Sequence, residues 1–228
     1  MMKTVNLKSV TILFVMMFFT SMGYGQDDQQ QQEKPKPTFS LRAGATMSKL
    51  SVIDNHWSFS NGIFGAYTKN SYKPGFYIGT NMDIKLSEKG SLSLGLLYSQ
   101  KGALAKREVS LFEEKVKLHY VNIPILYKRH ISNRFSLYGG VEAGALVDSR
   151  IINGSVINAV NNQFLTGDLG GVAGISYDFN DQFYLDFRWV EGITKLNFLN
   201  PLHAIGATPV HFEARNRSIQ LGMGYKIF

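Results

Sequence analysis

The stretch from Lys73 to Gly102 constrains the fold more than any other part of the chain. It reads KPGFYIGTNMDIKLSEKGSLSLGLLYSQKG, with apolar and polar residues alternating on both sides of a turn signal at 87–90. Successive side chains of a β-strand point to opposite faces, so the pattern predicts a hairpin with one apolar wall and one polar wall. The apolar wall must meet either lipid or a protein core.

Six further segments carry strand-like alternation, and no segment after residue 38 shows a helical period. They begin at Phe39 with FSLRAGATMSK and end in FYLDFRWVEG and RNRSIQLGMGYKIF. With the two strands of the hairpin, the chain is predicted to contain eight strands. The short connections lie near 87–90, 131–134 and 180–182, and the long ones lie at 50–71, 105–116, 149–166 and 196–214.

Alternating short and long connections are typical of outer-membrane β-barrels. We therefore expect an all-β fold, an eight-stranded antiparallel up-and-down transmembrane β-barrel with short periplasmic turns and long extracellular loops. The 22 glycines and 13% aromatic residues suit a curved, closed sheet with aromatic belts at the lipid–water boundaries. A soluble, lipocalin-like cup has the same alternation, so this alternative remains open.

The first residues are typical of a secretory signal peptide at 1–25, with cleavage before Gln26. Lys3 and Lys8 precede the apolar run 10–19, which is shorter than the roughly 20 residues of a spanning helix. A retained membrane anchor is the alternative. Residues 26–38, rich in Gln and Pro, are predicted to be a flexible linker, and 39–228 the barrel domain. An exported barrel is expected in the cell outer membrane.

Composition narrows the partners and the chemistry. The chain has no cysteine, which excludes disulfides and thiol catalysis. The formal charge of +7 becomes 7 − 2 = +5 without Lys3 and Lys8. An exported chain meets anionic lipid or surface polysaccharide rather than nucleic acid. We expect outer-membrane lipid as a partner, possible contacts with other envelope or secretion proteins, and no nucleic acid.

The polar faces of the predicted strands carry charged residues that balance one another. Small side chains and paired charges can fill a narrow lumen, provided that each buried charge has a partner. The sequence therefore predicts a lumen charge network made of Arg42, Asp83, Lys85, Lys101, Glu142, Asp186 and Arg188.

Two details of strand geometry accompany this prediction. Pro124 interrupts an otherwise regular strand and falls on its polar face, where a β-bulge could accommodate it. Strict alternation from Phe135 onwards places Tyr138, Glu142 and Asp148 together on the polar face of their strand.

Signals for catalysis are weak, and we predict no catalytic residue, cofactor or metal site. The five histidines lack metal-binding spacing, and no nucleophile-elbow motif occurs. The enzymatic alternative is an outer-membrane lipase or acyltransferase, for which Ser99, His119 and Asp148 could supply the groups.

Several motifs carry a family resemblance. The segments GFYIG, DIKLS, LLYSQKG, NIPILYK, YGGVEAG, DLGGVAGISYDF and LDFRWVEGITKL, and the terminal RSIQLGMGYKIF, resemble the PorT-like outer-membrane β-barrel family. The resemblance covers roughly residues 39–228. It implies an outer-membrane barrel, and the namesake implies a link to protein secretion and gliding.

We expect a non-enzymatic protein with a structural or interaction role in the cell envelope, as a possible accessory to protein secretion or surface assembly. The alternatives are a small porin-like channel and the enzyme described above. The expectation depends on long connections that contain more aromatic residues than solvent-exposed loops need. These residues are Trp57, Phe59, Phe64, Phe112, Phe164, Phe198 and Phe212.

Overall fold

The computed structural model describes residues 36–52, 67–107, 113–153, 156–159, 167–199 and 211–227, and these residues form one antiparallel sheet. Its strands, in chain order, are β1 (Thr38–Val52), β2 (Tyr67–Ser71), β3 (Lys73–Lys85), β4 (Gly90–Arg107), β5 (Glu113–His130), β6 (Phe135–Asn153), β7 (Val156–Ala159), β8 (Gly167–Asp178), β9 (Phe183–Gly192), β10 (Leu196–Leu199) and β11 (His211–Lys226).

The sheet closes on itself. Neighbouring strands follow the order β1-β3-β4-β5-β6-β8-β9-β11, and β11 also pairs with β1. The register of this closing pair is continuous from Ser40 opposite Lys226 to Val52 opposite Ala214. The predicted eight-stranded antiparallel barrel is therefore confirmed.

Three short strands lengthen the barrel at the end where the long connections lie. β2 pairs with β4, β7 pairs with β6, and β10 pairs with β11. Parts of the predicted long loops are thus strand, notably the start of the 149–166 and 196–214 connections. A strand that continues past the membrane keeps its backbone groups paired, which an irregular loop would leave to water.

The opposite end has the predicted tight turns. Asn180 Oδ1 accepts hydrogen bonds from the backbone N–H groups of Gln182 and Phe183, which closes the β8–β9 turn. Ser132 Oγ accepts the N–H of Phe135 in the β5–β6 turn. The start of β1 and the end of β11 lie at this same end.

Side chains alternate across the wall as the sequence pattern predicts. On β3, Phe76 and Ile78 point outwards and are about half exposed, whereas Tyr77 points into the barrel and is 1% exposed. The outward band continues around the barrel with leucine, isoleucine, valine and aromatic side chains. An outward apolar band and an inward polar face are the arrangement of a membrane-spanning barrel.

Two local expectations about the wall are wrong. Opposite Pro124, the pairing of β4 with β5 is interrupted but resumes in the same register, so no bulge forms there. Proline lacks a backbone N–H donor but adds no residue to the strand. The β-ladder therefore loses one hydrogen bond at Pro124, and the residue pairs on either side keep the same register. The register shift lies instead between β5 and β6, where His119 pairs with Asp148 and Tyr120 pairs with Leu146.

This bulge turns Asp148 outwards, onto the face of His119 and away from Glu142. One extra residue on one strand reverses the facing of every residue beyond it. The inward–outward alternation on β6 therefore shifts by one residue between Leu146 and Asp148, near the end of the strand that leads to the long connection. Counting every second residue from Phe135 does not detect this shift.

The chain divides into Met1–Lys34 and Pro35–Phe228. The predicted signal peptide and most of the predicted linker lie outside the described residues, so the domain boundaries remain predictions. No described helix is long and apolar enough to cross a membrane.

Candidate functional site

The barrel lumen holds most of the charged residues that the sequence singles out. Arg42, Lys101, Glu142, Asp186 and Arg188 point inwards and are almost completely buried. Asp83 also points inwards, nearer the short turns. Lys85, at the end of β3, is exposed and forms no ion pair with the described lumen residues.

Arg42 and Asp186 form the first part of this network. The Arg42 guanidinium donates to Asp186 Oδ1 from the other side of β11, and it also lies 5.1 Å from the ring centre of Tyr77. Tyr138 Oη donates to Asp186 Oδ2 over 2.6 Å. Both oxygens of the carboxylate therefore have donors, which a buried anion needs.

Glu142 occupies the second part of the network. Its Oε1 accepts a hydrogen bond from Lys101 Nζ at 3.1 Å, and its Oε2 lies 3.6 Å from Arg188 Nη1. The Arg188 guanidinium stacks 5.6 Å from the Tyr138 ring centre, which links Glu142 to the Asp186 pair. The charges form one connected layer across the lumen.

Asp168 and Asn216 extend the layer on the side of β8 and β11, and sequence reasoning missed both. Lys101 Nζ lies 3.8 Å from Asp168 Oδ2, and Asn216 Nδ2 donates to the same oxygen at 2.7 Å. Asn216 also donates to Tyr120 Oη at 3.2 Å. The sequence does contain a signal for the inward position of Asp168, since this residue lies at the same alternate spacing on β8 as the inward residues Val172 and Ser176.

A separate ion pair lies nearer the short turns. Lys128 Nζ donates to Asp83 Oδ2 at 2.6 Å, and Lys128 also lies 5.9 Å from the Tyr184 ring centre. Lys128 was not predicted, although it follows Leu126 at the inward spacing on β5.

Lys73 is the one buried cation whose hydrogen bonds, among the described residues, go to backbone carbonyls. Its Nζ donates to the oxygens of Pro74 at 3.3 Å and Lys101 at 3.4 Å. Counted with Lys73, the lumen residues named above comprise five cations and four carboxylates, and the Lys226–Asp178 pair near the short turns adds one of each.

An apolar layer lies in the lumen on the side of the long connections. Its members point inwards from six strands and pack on one another just beyond the charged layer. They are Leu50, Ala103, Leu118, Tyr120, Leu146, Leu196 and Ala214. Leucine side chains at this level of the lumen disfavour water and ions.

Several buried polar atoms inside the barrel have no protein partner among the described residues. Most of them lie on β1, β9 and β11, near Arg188, and others lie on β3, β5, β6 and β8. They include Arg188 Nε, Thr46 Oγ1, Ser48 Oγ, Ser218 Oγ and Gln220 Oε1. Such a wall is polar enough to hold small ligands or water by hydrogen bonds.

Of the groups proposed for an enzyme, His119 and Asp148 face each other on the outer wall, but Ser99 does not join them. Ser99 points into the lumen, is 1% exposed and accepts a hydrogen bond from Asn122. His119 lies on the outer wall, where its Nδ1 is 2.5 Å from Tyr98 Oη. Because Ser99 and His119 lie on opposite faces of the wall, they cannot act together as nucleophile and base.

The described residues contain no group of three or more His, Asp or Glu side chains placed to hold a metal ion. The aromatic residues of the long connections, from Trp57 to Phe212, lie outside the described residues or have side chains that are not described.

A charged pair lies on the outer wall near the long-connection end, where the exposed Ile193 and Leu169 lie one level further along β9 and β8. Arg217 donates to both carboxylate oxygens of Glu191 at 2.7 Å. Both oxygens of the Glu191 carboxylate therefore have a guanidinium donor, which makes this a bidentate ion pair.

Comparison with known proteins gives one family match. The family model described as "Outer membrane protein beta-barrel domain" matches residues 29–197. A comparison with curated proteins finds no match.

Solved structures of bacterial surface proteins are similar at low identity. The attachment invasion locus protein Ail of Yersinia pestis is 13% identical with a TM-score of 0.46, and the similarity covers 84% of this chain and 99% of that one. Neisserial surface protein A is 14% identical with a TM-score of 0.48, and the similarity covers 83% of this chain and 97% of that one. OprG from Pseudomonas aeruginosa is 16% identical with a TM-score of 0.46, and the similarity covers 87% of this chain and 99% of that one. The closed strand pairing described above establishes the fold without them.

Proposed function

We propose that this chain, which belongs to the outer membrane protein β-barrel domain family, is a non-conducting and non-enzymatic barrel that works through its outward-facing surface. Its place is the outer membrane. There, the barrel holds its loops and its outer wall in position for partners in the envelope.

The two layers of buried side chains across the lumen carry this proposal. Glu142 and Asp186 form ion pairs with the buried cations of the charged layer. Leu118 and Leu146 belong to the apolar layer beyond it. Moving an ion past both layers would break buried ion pairs and hydrate a leucine cluster, and both steps are costly. A lumen filled in this way supports a scaffold rather than a pore.

Recordings from planar lipid bilayers test the closed lumen. The protein purified from outer membranes should show no steady conductance. The matched variant Leu118→Ser/Leu146→Ser changes only the apolar layer, and we expect brief openings from it if folded barrels are recovered. Steady conductance of the unchanged protein would overturn the proposal and favour the porin-like alternative.

One observation favours that alternative as the second candidate function. The unpartnered oxygens of Thr46, Ser48 and Ser218 form a continuous polar wall beside Arg188. Such a wall suits a hydrated path, which the apolar layer would then have to gate. The same recordings decide between the two functions.

The interaction role is tested through the last long connection. Leu196 and Ala214 belong to the apolar layer, and β10 pairs with β11, so removal of 196–214 would damage the barrel itself. The informative variant replaces only 200–210 with a Gly-Ser linker. We expect normal assembly with loss of cross-linked envelope partners, whereas retention of every partner and of growth would count against the role.

The PorT-like resemblance sharpens the proposal. It points to partners in a protein secretion or surface-assembly machinery, and the motifs NIPILYK and LDFRWVEGITKL support it. Cross-linked partners that belong to no such machinery would remove this part and leave the scaffold role intact.

A further inference from the structure

On β1 and β11, a row of charged side chains follows the apolar residues of the outer wall at the end of the long connections, while the exposed Ile193 and Leu169 extend one level further on the neighbouring strands. On β11, Ile219 pairs with Trp189 of β9. Two residues further along, Arg217 pairs with Glu191 on one side and with Lys49 of β1 on the other. The aromatic residue and the charges therefore occupy successive levels of the wall, as at a boundary between acyl chains and headgroups.

The side chains at the centre of this row bind one another. Besides its two hydrogen bonds to Glu191, the Arg217 guanidinium lies 5.6 Å from the ring centre of Trp189. Trp189 Nε1 donates to Glu191 Oε2 at 3.2 Å. The three side chains fix one another, and Glu191 neutralises the charge of Arg217.

Two more cations flank this centre and give the patch an excess of positive charge. Lys49 Nζ lies 4.9 Å from the ring centre of Tyr72. Arg215 has the same facing as Arg217, and its Nε is buried with no hydrogen-bond partner among the described residues. Three cations therefore face one carboxylate among the described side chains of this patch.

We propose that Lys49 and Arg215 bind a phosphate of a phosphorylated glycolipid of the lipid A type, with Trp189 packed against its sugar and upper acyl chains. Lys49 and Arg215 are diagonal neighbours across β1 and β11, a spacing that long side chains bridge. An arginine fork and an ammonium group both match phosphate oxygens. Arg217 acts as the positioning residue that holds Trp189 in place.

The position of the patch selects this lipid. The long connections face outwards from the cell, so the row lies at the headgroup level of the outer leaflet. A phosphorylated glycolipid is the main lipid of that leaflet in Gram-negative outer membranes. Each basic side chain near an anionic lipid surface strengthens binding about fivefold. The inference does not depend on whether the lumen conducts.

Native mass spectrometry in a zwitterionic detergent tests the site. The protein purified from outer membranes is titrated with lipid A, with lipid A stripped of phosphate, and with phosphatidylglycerol. We expect lipid A to bind most tightly. The variant Lys49→Gln/Arg215→Gln should bind it about 25-fold more weakly.

The matched control removes the same charge at the other end, as Lys85→Gln/Arg129→Gln, where both side chains are exposed. This control should bind lipid A like the unchanged protein, and heat-modifiable migration on gels shows that each variant is folded. Equal loss in both variants would mean an effect of net charge alone. Such a result would overturn the proposal, as would tighter binding of phosphatidylglycerol or unchanged binding by Lys49→Gln/Arg215→Gln.

Discussion

Lys101 Nζ lies 3.1 Å from Glu142 Oε1, although β5 separates their strands in the sheet. Lys101 and Glu142 meet across the lumen rather than along the wall. Arg188 on β9 contacts the same carboxylate. Glu142 thus compensates two buried cations. The loss of its charge therefore affects two buried cations at once.

Glu142→Gln is expected to destabilise the folded barrel by about 3–5 kcal/mol, since it removes the anion of the buried Arg188 and leaves Lys101 with only Asp168 at 3.8 Å. Equilibrium unfolding in guanidinium, followed by tryptophan fluorescence in lipid vesicles, measures the change. The matched substitution Glu191→Gln breaks an ion pair on the outer rim, and its cost should be about 1 kcal/mol or less. Equal costs for the two variants would show that the lumen pair is as well hydrated as the rim pair.

The Arg42–Asp186 pair predicts a non-additive double variant. Arg42→Met or Asp186→Leu alone leaves one charge buried and unpaired, whereas the double variant removes both charges at similar volume. We expect the double variant to be more stable than either single variant, with a coupling free energy of about 1–3 kcal/mol. The same unfolding measurement, made on the unchanged protein, the two single variants and the double variant, gives the four free energies of this double-mutant cycle. Strictly additive losses would mean that Tyr138, rather than Arg42, compensates Asp186.

The sequence predicted the eight strands of the barrel wall and the inward position of six charged residues, because a period of two is readable from the residues alone. It did not predict which charges meet. Lys101 reaches Glu142 and Asp168 because of the strand stagger, and stagger depends on how the closed sheet pairs rather than on any local pattern. The bulge opposite His119 and Tyr120 is a further example, since one inserted residue moved Asp148 to the outer wall.

A close approach inside the barrel makes Gly222 intolerant of a side chain. A Cβ atom there would lie 2.2 Å from Tyr77 Oη and 2.3 Å from the carbonyl oxygen of Ala43. Gly222→Ala should therefore destabilise the barrel by about 1–3 kcal/mol through overpacking. At Gly167 nothing lies within 4 Å, so Gly167→Ala serves as the control and should leave stability unchanged. A neutral Gly222→Ala would show that Tyr77 moves aside freely.

The absence of cysteine from the sequence allows a direct test of orientation. Lys115 is exposed at the long-connection end of β5, and Lys89 is exposed in the short β3–β4 turn. If the long connections face outwards, a membrane-impermeant maleimide added to intact cells should label Lys115→Cys and leave Lys89→Cys unlabelled. Permeabilising the outer membrane should make both positions reactive, which controls for accessibility in the folded barrel. The reverse labelling pattern would place Lys49 and Arg215 at the inner leaflet, and the glycolipid site would then lose its ligand.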